Sequence, residues 1–80
     1  MENRIAVLGI FIEDRDASGA VNALLHEYGA AIIGRMGIPH HRENCSIITI
    51  VMDCPVDTIN ALCGKLGRLS HVQVKSMMAK

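Results

Sequence analysis

The residues best suited to chemistry in this 80-residue chain lie in one stretch, "PHHRENCS" over 39–46, where His40 and His41 are adjacent and Cys45 follows four residues later. Imidazole and thiolate are ordinary zinc ligands, and a structural site needs about four of them converging at roughly 2.0–2.3 Å. Adjacent residues of an extended chain point to opposite sides, so only one histidine could join Cys45 on an ion. Further ligands would have to come from His26, His71 or a second subunit. The same stretch has the polar, proline-containing composition of a hairpin loop. We read Pro39 through Asn44 as a turn and expect no metal; His40, His41 and Cys45 are the candidate ligands were one bound.

No catalytic constellation stands elsewhere. The chain has no G-x-S-x-G elbow, no phosphate-cradling glycine loop ending in lysine, and no carboxylate pair in apolar surroundings. Asp14 and Asp16 read as helix-capping and solvated charge. We expect neither enzyme activity nor a cofactor. Cys45, Cys54 and Cys63 form no C-x-x-C pair and leave one thiol unmatched, which suits a reducing, cytoplasmic setting. Half the chain is apolar, and no apolar stretch approaches the roughly 20 residues that span a bilayer. Eight basic residues balance eight acidic ones, so no long-range field draws the protein to phosphate or to an acidic lipid surface.

The elements that position these residues follow from periodicity. "RIAVLGIFIE" (4–13) is β-branched and apolar at odd and even positions, as a strand buried on both faces is. Asp14, Asp16 or Ser18 can cap a helix carrying Ala17, Val21, Leu24, Leu25 and Tyr28, with Gly29 as its stop. "AAIIGRMGI" (30–38) predicts a second strand, and Gly34, Arg35, Gly37 and Pro39 suit a sheet edge. "CSIITIVMD" (45–53) predicts a third. Pro55 then opens a helix with Val56, Ile59, Leu62, Leu66 and Leu69 at helical spacing, in which Gly64 reads as a close helix-to-sheet contact and Gly67 as a frayed end. "HVQVKSM" (71–77) alternates as a half-exposed last strand, with Val72, Val74 and Ser76 on one face.

The order β-α-β-β-α-β is the split βαβ pattern of an α+β, ferredoxin-like sandwich: a four-stranded antiparallel sheet with two helices on one face. Eighty residues suffice for one domain, 1–80. Two helices cover one sheet face only, yet the first and third strands are apolar on both. An uncovered apolar sheet is larger than soluble monomers tolerate, so we expect a homo-oligomer, a dimer or tetramer, packed through sheet faces or edges.

The stretches "IAVLGIFIEDR", "VNALLHEYG", "IIGRMGIP", "IITIVMD" and "TINALCGKLGRLSHVQVKS" together resemble the family of proposed iron-only hydrogenase system regulators. "GRMGIP" (34–39) and "GKLGRL" (64–69) are the most specific, combining glycines with fixed charged and apolar neighbours. The resemblance implies a stand-alone ACT-like domain, oligomeric, that regulates transcription of hydrogenase or related genes. More distantly the chain is similar to the C-terminal sensing domain of the nickel-responsive repressor. That domain's two strand histidines correspond here to Gly37 and Pro39 ahead of Cys45, and a lone cysteine holds no nickel.

Two modes of regulation are open to such a module. One is DNA binding, with phosphate contacts from Arg35 and Arg42 at one end and Lys65, Arg68 and Lys75 at another, repeated by symmetry; no base reader accompanies them. The other is a small-molecule sensor or protein adaptor. ACT domains bind effectors near the first strand-to-helix loop, which assigns Asp14, Arg15, Ser18 and Gly19; the loop lacks the Pro-Gly of amino-acid-binding members. A continuous positive stripe would favour DNA, and a polar pocket beside the first helix would favour an effector.

Overall fold

The computed structural model describes residues 2–42 and 45–79, with the side chains of residues 39–42 outside the description. Element order is β1 (Asn3–Ile12), a 3₁₀ turn (Arg15–Ala17), α1 (Ser18–Glu27), a second 3₁₀ turn (Gly29–Ala31), β2 (Ile32–Arg42), β3 (Cys45–Pro55), α2 (Val56–Gly67) and β4 (Val72–Met78). The strands form one antiparallel sheet in the order β2-β3-β1-β4. This is the expected ferredoxin-like architecture, with β2 at an edge as its glycines and Arg35 foretold.

Register sorts the side chains. On the helix face Ala6, Leu8 and Ile10 pair with Met52, Ile50 and Ile48, and Val74 and Val72 continue the row from β4. Ala6, Leu8, Ile10, Ile50 and Met52 are wholly excluded from solvent, as are Val21 of α1 and Ile59, Leu62 and Leu66 of α2. The spacing of Ile59, Leu62 and Leu66 lays one stripe of α2 onto the sheet, and Val21 with Leu25 does the same for α1. On the opposite face Val7 pairs with Val51, Phe11 with Ile47 and Ile38 with Ile47, and no helix lies over them.

Local details differ from expectation. Asp14 is the cap: its Oδ1 accepts from the Asp16 N–H at 3.0 Å, so the chain turns through 3₁₀ geometry before α1 begins. Pro55 pairs with Asn3 at the end of β3 and precedes the first helical residue, so it closes a strand as well as introducing α2. The expected turn over 39–44 is shorter, because β2 continues to Arg42, which pairs with Cys45; strand pairing wins over loop composition there, at the cost of a register irregularity between Ile38 and Arg42. Gly64 makes no close contact with the sheet: a Cβ there would meet nothing within 4 Å. His71 lies in the turn before β4 with φ of 64°, and its carbonyl accepts from Glu13 N–H at 2.8 Å. Among the described residues no helix is long and apolar enough to cross a membrane.

Candidate functional site: a polar cleft and an open apolar sheet

Between α1 and the β2–β3 edge the layers do not close. Ser18, Asn22 and His26 follow one another at four-residue intervals, so α1 turns a polar stripe towards β2. Arg35 and Gly37 face that stripe, since they pair with Ile50 and Ile48 of the core-facing row. An arginine and a glycine stand where an apolar pair would have sealed the seam. The Arg35 guanidinium spans the gap and donates to Asn22 Oδ1 at 2.7 Å.

This bridge separates two hollows. One, about 300 Å³, has Ile12, Gly37 and Ile48 as its apolar floor and Ser18, Asn22, Arg35 and Ser46 as polar groups, with Ile38 and Ile47 completing it. The other, about 490 Å³, runs past Leu25, His26, Gly29 and Ile32. Among the described residues no carboxylate lines either hollow. The predicted effector residues are divided by the start of the helix. Ser18 enters the first hollow, Asp14 lines a different depression with Ser70 and His71, and Arg15 and Gly19 are exposed. Sequence reading missed Asn22, Gly37 and Ser46. The four-residue step from Ser18 to Asn22 was the available signal; Gly37 and Ser46 join them only through strand register.

Among the described residues, the predicted phosphate contacts Arg35, Lys65, Arg68 and Lys75 do not gather on one surface. Arg35 lies on the helix side, held by Asn22. Lys65 of α2 donates to Glu27 at 3.0 Å and stands 5.0 Å from the centre of the Tyr28 ring; Tyr28 first and Glu27 second hold its ammonium pKa above the usual lysine range. Arg68 caps the end of α2, and Lys75 projects from β4 on the open face, since it pairs with Gly9. The side chains of Arg42, His40 and His41 lie outside the described residues. Cys45 is half-buried, and among the described residues no three His, Cys, Asp or Glu side chains gather as metal ligands do. Cys54 is buried and its thiol pKa is raised, by burial first and the Asp53 charge second.

The open sheet face carries large apolar side chains in the open. Ile5 is 48% exposed, Phe11 40%, Ile38 45%, Met36 65% and Met77 70%, and they surround half-buried Val7, Ile47 and Val51. Apolar side chains recur on this face from β1, β2 and β3, with Met77 from β4, and Thr49, Gln73 and Lys75 lie among them; the cluster exceeds the scattered apolar residues of a typical surface.

Residues 4–76 match the family described as "TM1266-like: Iron-only hydrogenase system regulator, putative". The chain belongs to that family. The solved structure of the uncharacterized protein TM1266 from Thermotoga maritima is 45% identical, covers 99% of this chain and 100% of its own, and superposes with a TM-score of 0.93. CPII, a nitrogen regulatory PII-like protein from Thiomonas intermedia K12, is 15% identical with a TM-score of 0.58 over the whole of both chains, a likeness of fold alone. The de novo designed protein Foldit4 is 10% identical with a TM-score of 0.57, covering 99% of this chain and 98% of its own. No curated protein matches the chain. The regulatory role is the one the family's description carries; the cleft and the open sheet face are this chain's candidate sites.

Proposed function

We propose that this chain is a non-catalytic regulatory module of the iron-only hydrogenase system that works as a homo-oligomer, assembled through its open sheet face, and reaches transcription through an effector or protein partner. The observation that carries this reading is the apolar sheet face. Exposed Ile5, Phe11, Met36, Ile38 and Met77 make a surface that water disfavours and that a second copy of the same face covers isologously. Burying it in a dimer leaves the helices and the α1–β2 cleft outward, free to take a ligand or partner. CPII, which shares the fold, was solved with ADP, AMP and bicarbonate bound, so an effector role is one that this fold accommodates.

Direct DNA reading by this chain fits less well. Lys65 is engaged by Glu27 and Tyr28, Arg35 by Asn22, and Lys75 points from the face opposite the helices, so among the described residues these three cations do not converge on one backbone-tracking surface. The net charge of zero supplies no compensating field. Fluorescence anisotropy of labelled promoter DNA from hydrogenase genes, titrated with the purified chain at several salt concentrations against unrelated DNA, tests this. The expected result is no preference for promoter over unrelated DNA. Specific, saturable binding that weakens steeply with salt and is lost on changing Arg68 and Lys75 to glutamine would make the chain a direct DNA-binding regulator and overturn the reading.

A further inference from the structure

We infer that the cleft between α1 and the β2–β3 edge is a binding site for a small monocarboxylate with a short apolar body. This rests on the effector reading above and names its ligand class; the assembly concerns the other face of the sheet, so either can fail without the other.

The charge balance selects the class. Among the described residues Arg35 is the one cation lining the cleft and no carboxylate joins it; its guanidinium rests on a neutral acceptor, Asn22 Oδ1, at 2.7 Å. A guanidinium has five N–H donors in a planar fork that matches a carboxylate, and a neutral partner leaves its full charge uncompensated. Asn22, with its carbonyl oxygen taken by Arg35, turns its amide N–H donors to what lies beside it. Ser18 and Ser46 add hydroxyls from α1 and β3. The polar groups are therefore mostly donors, gathered about a single positive charge, which suits one negative charge spread over two oxygens. Among the described residues a dianionic phosphate finds no second cation in the lining.

Size and floor select the rest. At about 300 Å³ the cleft is at the small end of ligand sites, which run to about 1,000 Å³. Its floor is Ile12, Ile48 and the bare backbone of Gly37. A Cβ built at Gly37 would lie 3.9 Å from the Ile47 carbonyl oxygen and 3.9 Å from Ile48, ordinary contacts, and Gly37 does not adopt positive φ. Neither crowding nor backbone geometry demands glycine there; what the glycine leaves is space on the side of the sheet that faces the cleft.

That space gives a clean test. Gly37→Val is compatible with the strand and improves its β propensity, so it fills the cleft without threatening the fold. Uniformly ¹⁵N-labelled chain would be titrated with 3-methylbutanoate and with 2-oxopropanoate, in parallel with inorganic phosphate and adenosine monophosphate, following amide shifts. The expected result is saturable shifts at Gly37, Ser46 and Ser18 with one or both carboxylates, none with the nucleotide, and weaker response to phosphate. Arg35→Gln should weaken binding by roughly tenfold or more, the worth of a charge-assisted hydrogen bond, and Gly37→Val should abolish it while unfolding no earlier than the natural chain. Shifts centred on His26 and Gly29 would put the ligand in the neighbouring hollow and overturn the placement. Phosphate binding more tightly than either carboxylate would overturn the class, and absence of saturable shifts with every probe would overturn the site.

Discussion

Val7→Lys should separate the oligomer without unfolding its subunits. Val7 is half-buried near the middle of the open face, paired with Val51 on one side and Met77 on the other. Four strands about 4.8 Å apart and roughly eight paired residues long give a face of about 19 by 26 Å, hence about 500 Å² per protomer and about 1,000 Å² for a face-to-face dimer, the lower bound for a specific interface. Taking about two-thirds of that area as apolar, at about 25 cal/mol per Å², gives a gross gain of about 17 kcal/mol. Lost rigid-body freedom costs about 4–15 kcal/mol, so a net near 8 kcal/mol and a dissociation constant around micromolar are expected. An unpaired ammonium at the centre costs about 2–5 kcal/mol, which raises that constant at least about 30-fold. Within one subunit the change removes only cross-strand contacts worth about 0.2–1 kcal/mol, a few degrees of Tm for a domain of this size. Sedimentation velocity over a concentration series, with far-UV circular dichroism on the same samples, reads both quantities. A folded Val7→Lys chain that dimerises as tightly as the natural one would refute the face-to-face argument, and Val7→Thr serves as the neutral control.

Other consequences can be checked as readily. Leu62→Ala, at a position wholly excluded from solvent, should cost about 2–5 kcal/mol in urea unfolding. Cys54 should react with iodoacetamide at pH 8 more slowly than half-buried Cys45 and Cys63, because burial and Asp53 raise its pKa above the ordinary 9.0; mass spectrometry of labelled peptides reads the order. The sign for stability follows: the folded chain keeps the Cys54 proton longer than the unfolded one, so stability is flat below about pH 9 and declines above it, and Cys54→Val should remove that part of the decline. Glu27→Gln should change stability by less than about 1 kcal/mol despite its 3.0 Å contact with Lys65, since both side chains are largely exposed. His71→Val should destabilise by more than about 1 kcal/mol, because a β-branched residue tolerates φ of 64° poorly, whereas His71→Gly should not.

The fold was legible because its signals are periodic and local. Alternation in "HVQVKSM" and the three-four spacing of Ile59, Leu62 and Leu66 each predict an element that forms, and element order then leaves few topologies. The two-sided apolar character of β1 and β3 foretold an uncovered face before any packing was known. What escaped was non-local. Pro39 through Arg42 has loop composition, yet pairing with β3 carries the strand to Arg42. Gly64 reads as a packing glycine, but no sheet atom approaches it. The cleft was only partly visible: Ser18 was singled out with Asp14, Arg15 and Gly19 as one loop, whereas the helix start sends Asp14 and Ser18 into different depressions. Arg35 was singled out for its charge as a phosphate contact, and only strand register puts it opposite Asn22.

The account rests on the claim that two copies meet through the open sheet. The most direct measurement is an isotope-filtered NOE experiment on an equimolar mixture of ¹³C-methyl-labelled and unlabelled chain. The account predicts intermolecular cross-peaks from the methyls of Val7, Ile47 and Val51, at the middle of the face, together with Ile5 and Ile38. Intermolecular cross-peaks confined to α1 and α2, or a chain that shows none and sediments as a monomer at the millimolar concentrations of the experiment, would contradict it.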